Sequence, residues 1–167
     1  MARAALAELQ LEKILWIPTG APGYRNPPVA SGAHRVAMLK LALEGEPRYE
    51  IDERELGGGA TGYTFDTLTE LRLEQGRDAE LWLLMGADQY AKFESWHRPH
   101  DIRKLANIGV FGRPGWQVSG PRVKAIAFEP MAVSASDIRS RVARGEDISG
   151  LVPGAVANYI AVNKLYR

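Results

Sequence analysis

The run Leu81-Trp82-Leu83-Leu84-Met85, closed at once by Gly86-Ala87-Asp88, constrains the fold more than any other segment. Its apolar residues show no alternation, so a strand built from them must be covered on both faces. Strands of that kind belong to parallel sheets wrapped by helices. Shorter runs repeat the pattern. Ile14-Leu15-Trp16-Ile17 is stopped by Pro18, Ile108-Gly109-Val110-Phe111 lies further on, and Val123 to Phe128 follows it. Tyr49-Glu50-Ile51-Asp52 alternates, which also suits a strand.

Helix-forming segments separate these runs. The first reaches to about Leu11, with Leu6 and Leu9 on one face. Residues 33–43 carry Val36, Met38, Leu39, Leu41 and Leu43, and Gly45 and Pro47 end them. A third segment starts near Thr64, repeats Phe65, Leu68 and Leu71 at a spacing of three, and stops at Gly76. Residues 98–106 suit a short helix with Pro99 near its first position. Ser134 to Ala143 and Pro153 to Val162 read as two closing helices. This order predicts an α/β protein with a doubly wound, mostly parallel sheet. In such sheets ligands sit beyond the carboxyl ends of the strands. Residues 18–25, 53–64, 86–97 and 112–116 therefore hold the candidate chemistry.

The chain has 167 residues, of which 46% are hydrophobic and 25% charged, as in an ordinary globular domain. Residues 1–167 are expected to form one domain, with a helical part from about residue 134. There are no cysteines, which excludes disulfides, thiolate metal sites and cysteine nucleophiles. The 21 basic and 20 acidic residues leave a net charge of +1, so no global field favours nucleic acid or an anionic membrane. No apolar run approaches the ~20 residues that cross a bilayer. Glu8 interrupts the apolar start, which lacks the core of a secretory signal. The expected location is the cytoplasm. The sequence leaves homo-oligomerisation open.

Several motifs carry chemistry. Gly57, Gly59 and Gly62 match a dinucleotide-binding spacing, but four residues separate them from the preceding strand. A surface loop is the better reading. His97-x-x-His100-Asp101 resembles a metal cluster, yet Pro99 breaks the helix that would align both imidazoles, and no metal site is expected. Ser134 followed by Asp137 marks a helix start, and a cap alone would account for it. Ser136 and Arg139 share a face of that first turn. Two hydroxyls, free N–H groups and a guanidinium at a positive helix end make an anion site with the parts for a triphosphate. Gly86 allows close ligand approach and Asp88 offers a carboxylate beyond the strand, either to a ribose or as a helix cap. Trp96, among polar residues, is a candidate stacking ring or a partly buried core aromatic.

Taken in order, these segments resemble a known family. They are Arg54-Glu55-Leu56, Gly62-Tyr63-Thr64-Phe65-Asp66-Thr67-Leu68, Met85-Gly86-Ala87-Asp88, Ser95-Trp96-His97-Arg98, Val133-Ser134-Ala135-Ser136-Asp137-Ile138-Arg139, Leu151-Val152-Pro153 and Leu165-Tyr166-Arg167. From about Leu6 to Arg167 the chain is similar to bacterial nicotinate-nucleotide adenylyltransferase. That resemblance implies a Rossmann-like nucleotidyltransferase fold. It implies transfer of AMP from magnesium-bound ATP to nicotinate mononucleotide, giving deamido-NAD and pyrophosphate. It further implies that Ser134, Ser136 and Arg139 hold ATP phosphates, with Arg139 the catalytic cation. Gly86 and Asp88 would face the adenosine. Tyr63 and Thr64 would line the nicotinate pocket, Trp96 would stack on the pyridine, and His97 would lend its backbone amide. Arg25 would approach phosphates from the loop.

Three departures accompany the resemblance, the first being a stretch from Gly115 to Val123 that is short for the family. The family's substrate loop often reads Pro-Pro-His-Lys, where this chain has Pro22-Gly23-Tyr24-Arg25. Family members open with a strand and a Gly-Gly-[ST]-Phe-Asp-Pro-x-His-x-Gly-His segment, which this sequence does not contain. The expectation is an N-terminally incomplete domain whose neighbouring strand edges are uncovered. A non-catalytic nucleotide-binding fragment or pseudoenzyme is the second expectation.

Overall fold

A computed structural model describes residues 1–20, 28–113, 115, 117–129 and 133–167. The chain divides into two compact units, the first of residues 1–14 and 61–130 and the second of residues 15–60 and 131–167.

The first unit is built on a three-stranded sheet. β3 (Trp82–Gly86), β4 (Asn107–Gly112) and β5 (Val123–Ala127) lie in that order. Both pairings are parallel, with Trp82 opposite Asn107, Gly86 opposite Phe111, and Phe111 opposite Ile126. The parallel sheet meets the expectation drawn from the alternation. The burial does not follow the expected strand, however. Ile108, Val110 and Phe111 of β4 are buried, whereas Met85 alone is buried in β3. The reason is position. β4 has a neighbour on each side, and β3 is an outer strand of its sheet.

Helices cover this sheet. α1 (Ala2–Glu8) packs on β5, and the Lys124 ammonium donates to the Glu8 carbonyl at 2.8 Å. A cation at a helix carboxyl end is favoured both by charge and by the unpaired carbonyls there. α1 stops before the expected Leu11, because Gln10 turns left-handed with φ 53°. α3 (Thr64–Gln75) packs on α5 (Pro99–Leu105), and α5 lies on β4. Leu68 and Leu71 supply the buried face of α3, as their spacing requires. Gly76, at φ 81°, ends α3 in the left-handed region that glycine adopts without penalty. Close packing also shapes β4. A Cβ at Gly109 would stand 2.7 Å from a Leu84 methyl and 2.9 Å from an Ile126 methyl.

The second unit pairs β1 (Ile14–Trp16) with β2 (Tyr49–Ile51). The Trp16 and Tyr49 rings meet edge to face at 5.7 Å. α2 (Gly32–Leu43) packs on β2 and on α7 (Gly154–Val162). Ser31 caps α2 by accepting the His34 N–H at 3.3 Å, and the His34 ring meets the Tyr159 hydroxyl at 2.9 Å. α6 (Ala135–Ala143) contributes Val142 to a core with Ile148, Val156 and Ile160. The described loop residue Gly20 runs against the turn at Arg54–Leu56, so that a Cβ there would collide with the Glu55 carbonyl. Residues 57–59 behave differently. A Cβ at Gly58 or Gly59 would meet nothing within 4 Å, so that glycine run is an open loop, as the sequence suggested.

Short turns complete the two units. A 3-10 turn at Arg54–Leu56 follows β2, α4 (Ala87–Tyr90) follows β3, and another 3-10 turn spans Phe93–Ser95. None is long enough for periodicity to mark it.

Ile108 is fully buried at the centre of the first unit's sheet. Ile108→Ala should lower unfolding free energy by about 2–5 kcal/mol, read from denaturant midpoints at unchanged slope.

Candidate functional site

The expected site residues fall in both units, and each group is described within its own unit. Arg25 lies outside the described residues.

In the first unit the end of β3 sets the stage. Gly86 closes the strand and caps α4 with extended backbone. A Cβ on Gly86 would stand 2.7 Å from the Asp88 Oδ1, so a side chain there would push that carboxylate aside. Asp88 is exposed and sits inside the first turn of α4, two places beyond the capping Gly86. The Gln89 side-chain amide donates to Asp88 Oδ2 at 3.0 Å. That bond, the Asp88 and Gln89 main-chain N–H groups and the Lys92 charge hold the carboxyl below its ordinary value, against partial desolvation. The site thus presents a carboxylate, able to accept but not donate, through the neutral range.

The next residues form an aromatic ledge. Phe93 is 1% exposed and anchors the half-buried Trp96 ring, with centroids 5.5 Å apart. The Trp96 N–H donates to the Phe93 carbonyl at 3.0 Å, which fixes where the indole leaves the backbone. The Arg103 guanidinium lies over the Phe93 ring, 4.6 Å from its centroid.

His97 links the ledge to α3. Its imidazole stacks on the Tyr63 ring at 4.3 Å and 28°, and meets Phe65 edge to face at 6.4 Å. Tyr63 is the capping residue of α3, and Thr64 is its first helical residue. Thr61 accepts the Tyr63 N–H at 3.2 Å and donates to the Asp66 carboxylate, fixing that turn. Arg98 holds the opposite end. It adopts φ 58° before Pro99, places its guanidinium 3.8 Å from the Phe65 centroid, and pairs with Asp101 at 2.9 Å. Tyr63, Thr64, Trp96 and His97 all lie in the first unit, where Tyr63 and His97 are in direct contact. Phe65 and Arg98 were not among the expected site residues. The signal for Arg98 was the proline after it, since the residue before proline avoids the ordinary helical region.

In the second unit Ser134 caps α6, accepting the Asp137 N–H at 3.1 Å. The Ser134 and Ser136 hydroxyl oxygens are 3.0 Å apart and exposed. The cap predicted from spacing is thus present, but its other half is not. The Asp137 carboxylate pairs forward with Arg141 at 2.9 Å instead of returning to the Ser134 N–H. Arg144 is likewise taken, by Glu146. Arg139 is half-buried and has no hydrogen-bond or ion-pair partner among the described residues. Arg139 acts electrostatically on Tyr166. Burial pushes that phenol above its ordinary value, while Arg139 and Arg35 pull it the other way. The start of α6 thus combines two hydroxyls, unpaired main-chain N–H groups and an uncommitted guanidinium.

Comparison with known proteins sets these features in context. A family model described as cytidylyltransferase-like matches residues 1–141. A protein of Laribacter hongkongensis named "Probable nicotinate-nucleotide adenylyltransferase" is 41% identical over 190 aligned residues, covering 100% of this chain and 86% of its own length. A Bordetella petrii protein of the same name is 40% identical over 179 residues, covering 100% of this chain and 90% of its own. A solved Plasmodium falciparum nicotinic acid mononucleotide adenylyltransferase, complexed with NaAD, superposes with a TM-score of 0.76 at 14% identity, over 93% of this chain and 83% of that one. At that identity the likeness speaks for the Rossmann-like fold alone. The full-length sequence matches speak for more: the chain belongs to the nicotinate-nucleotide adenylyltransferase family of cytidylyltransferase-like proteins.

Proposed function

We propose that this chain joins nicotinate mononucleotide to the AMP part of ATP, giving deamido-NAD and pyrophosphate. The observation that carries the reading is the family match over the whole chain at 41% identity. The geometry supports a division of labour between the two groups of residues.

A phosphate oxygen of the mononucleotide attacks the α-phosphorus of ATP. The new oxygen–phosphorus bond forms as the bond to the bridging oxygen breaks, and pyrophosphate carries away the electron pair. Such a transfer needs positioning and charge neutralisation more than covalent help. Arg139 answers the growing charge on the leaving side, because no described carboxylate competes for it. The Ser134 and Ser136 hydroxyls and the first N–H groups of α6 hold the same phosphates. Arg25 adds a cation from the substrate loop.

Magnesium enters as part of the substrate. Among the described residues no three histidines or carboxylates stand together as an ion site, so the triphosphate is the natural carrier of the ion. Bound with ATP, the ion would shield phosphate charge, and the chain's own groups orient the oxygens.

The pyridine side uses the ledge. Trp96 stacks on the ring, and its seat on Phe93 keeps the indole from turning. Thr64 and Tyr63 face the nicotinate carboxylate, and the His97 main-chain N–H donates to it. The stacking of His97 on Tyr63 ties these two contributions into one surface. Asp88, kept ionised, accepts hydrogen bonds from the adenosine ribose, and Gly86 allows the nucleoside to approach the strand end.

Mixing the chain with MgATP and nicotinate mononucleotide should release pyrophosphate, and calorimetry should detect deamido-NAD binding. A folded chain that does neither would refute the reading. Arg139→Ala should lower kcat about 10²–10³-fold with a smaller change in the KM for nicotinate mononucleotide, and Arg139→Lys should restore only part of the loss. Ser134→Gly separates two roles. It should cost only a few tenths of a kcal/mol of stability, because glycine caps tolerably, yet weaken ATP binding several-fold. The Asp88 carboxyl titrates below the ordinary aspartate range, so its contribution to ATP affinity is complete above that range and is lost only as pH falls through its lowered value. ATP affinity measured from pH 8 to pH 5 should therefore show no loss attributable to Asp88, and Asp88→Asn should weaken it equally at both ends.

A further inference from the structure

The adenylyl-transfer roles leave Arg98 unused, yet its conformation has to be held. Its backbone stands at φ 58° and ψ 53°, in the left-handed region, immediately before Pro99. A residue with a Cβ disfavours that region, and a following proline favours extended backbone instead. Two contacts hold the turn. The guanidinium lies over the Phe65 ring, 3.8 Å from its centroid, and Nε donates to Asp101 Oδ2 at 2.9 Å. The Lys104 ammonium donates to the other Asp101 oxygen at 2.7 Å. Lys104 and Arg98 keep the Asp101 carboxyl below its ordinary value, so the pair stays ionised through the neutral range. Phe65 belongs to the first turn of α3 and Asp101 to the first turn of α5. One side chain thus joins two helix starts.

The residue next to this joint is His97, whose imidazole touches both Tyr63 and Phe65. The His97 main-chain N–H has no acceptor among the described residues, and neither have the Thr64 N–H and hydroxyl. These donors come from two segments, one on each side of the joint. A carboxylate offers an acceptor oxygen to each segment. A carboxamide offers one oxygen and turns its own N–H groups toward the second donor, which is left unpaired. That choice is made only if the two segments are held at a fixed separation.

We infer, resting on the adenylyltransferase reading for the ligand, that Arg98 is a positioning residue for the pyridine end of the site. Its grip on Phe65 and Asp101 holds the Thr64 and His97 donors at the separation that selects a nicotinate carboxylate over a nicotinamide carboxamide. Arg98 touches no substrate in this role and acts through His97.

Two measurements on the full chain test this. Glycine accepts the left-handed backbone without penalty, so Arg98→Gly removes the guanidinium and leaves the turn available. In proton NMR of the free protein, the Tyr63 ring should shift the His97 ring protons upfield, and Arg98→Gly should return them to the positions of a free histidine. By calorimetry, the wild type should bind deamido-NAD more tightly than NAD. Arg98→Gly should lower that preference about tenfold, the weight of one charge-assisted hydrogen bond, and change ATP affinity less than about twofold. A loss of fold would weaken all three ligands alike. Arg98→Lys keeps a charge beside Asp101 but not a planar face over Phe65, and its values should lie between. If Arg98→Gly does not give the wild-type circular dichroism spectrum, Arg98→Lys decides by the same two readouts. Unchanged His97 shifts in the folded variant would overturn the proposal, as would an unchanged preference for deamido-NAD. A wild type that binds neither dinucleotide refutes the adenylyltransferase reading instead, and the imidazole shifts then decide alone whether Arg98 places His97.

Discussion

The parallel pairing of β4 with a neighbour on each side is the constraint on which the first unit depends. Ile108 and Val110 are fully buried, and Gly109 leaves room for Leu84 and Ile126 to close over it. This packing fixes the register that sets Gly86 opposite Phe111. Gly86 is where β3 stops and α4 begins, so the register also decides where the Asp88 carboxylate emerges. A slip of one residue would turn every side chain of the strand to the other face. The chemistry at the strand end rests on hydrophobic packing several residues behind it.

From that strand end outward, order passes through rings. Phe93 is buried and seats Trp96, while the neighbouring His97 turns to stack on Tyr63. Arg98 then closes on Phe65, held by Asp101. The left-handed backbone at Arg98 is a local cost accepted next to Pro99, and it allows the chain to bring residues 63–65 and 96–98 together. The two segments come from opposite ends of the β3 strand in sequence. Their contact makes a surface that a planar ligand can use.

The second unit is best understood through the partners of its arginines. Arg54, Arg141 and Arg144 each have a nearby carboxylate, on Asp52, Asp137 and Glu146. The exposed pairs of Arg141 and Arg144 contribute little to stability, and all three pairs remove a guanidinium from other use. Arg139 and Arg35 have no such partner among the described residues. Both act electrostatically on Tyr166, so two uncommitted cations stand near the same phenol. One is at a helix start with two hydroxyls, and the other lines an apolar cavity. The same residue type thus stands in two chemically different settings.

Much of this was written in the chain itself. Apolar runs without alternation marked most of the strands, a spacing of three marked α3, Pro99 marked the start of α5, and Ser134 with Asp137 marked the start of α6. These signals are local, carried by side chains a few residues apart, and the ordered motifs carried the family with them. The balance of burial between β3 and β4 was not legible, because it depends on which strand has neighbours on both sides. Nor were the short turns at 54–56, 87–90 and 93–95, which are held by hydrogen bonds too few to leave a period. The pairing of Tyr63 with His97 and the cavity around Arg35 belong to the same class. Each joins residues far apart in sequence, and only packing decides which side chain meets a partner and which is left without one.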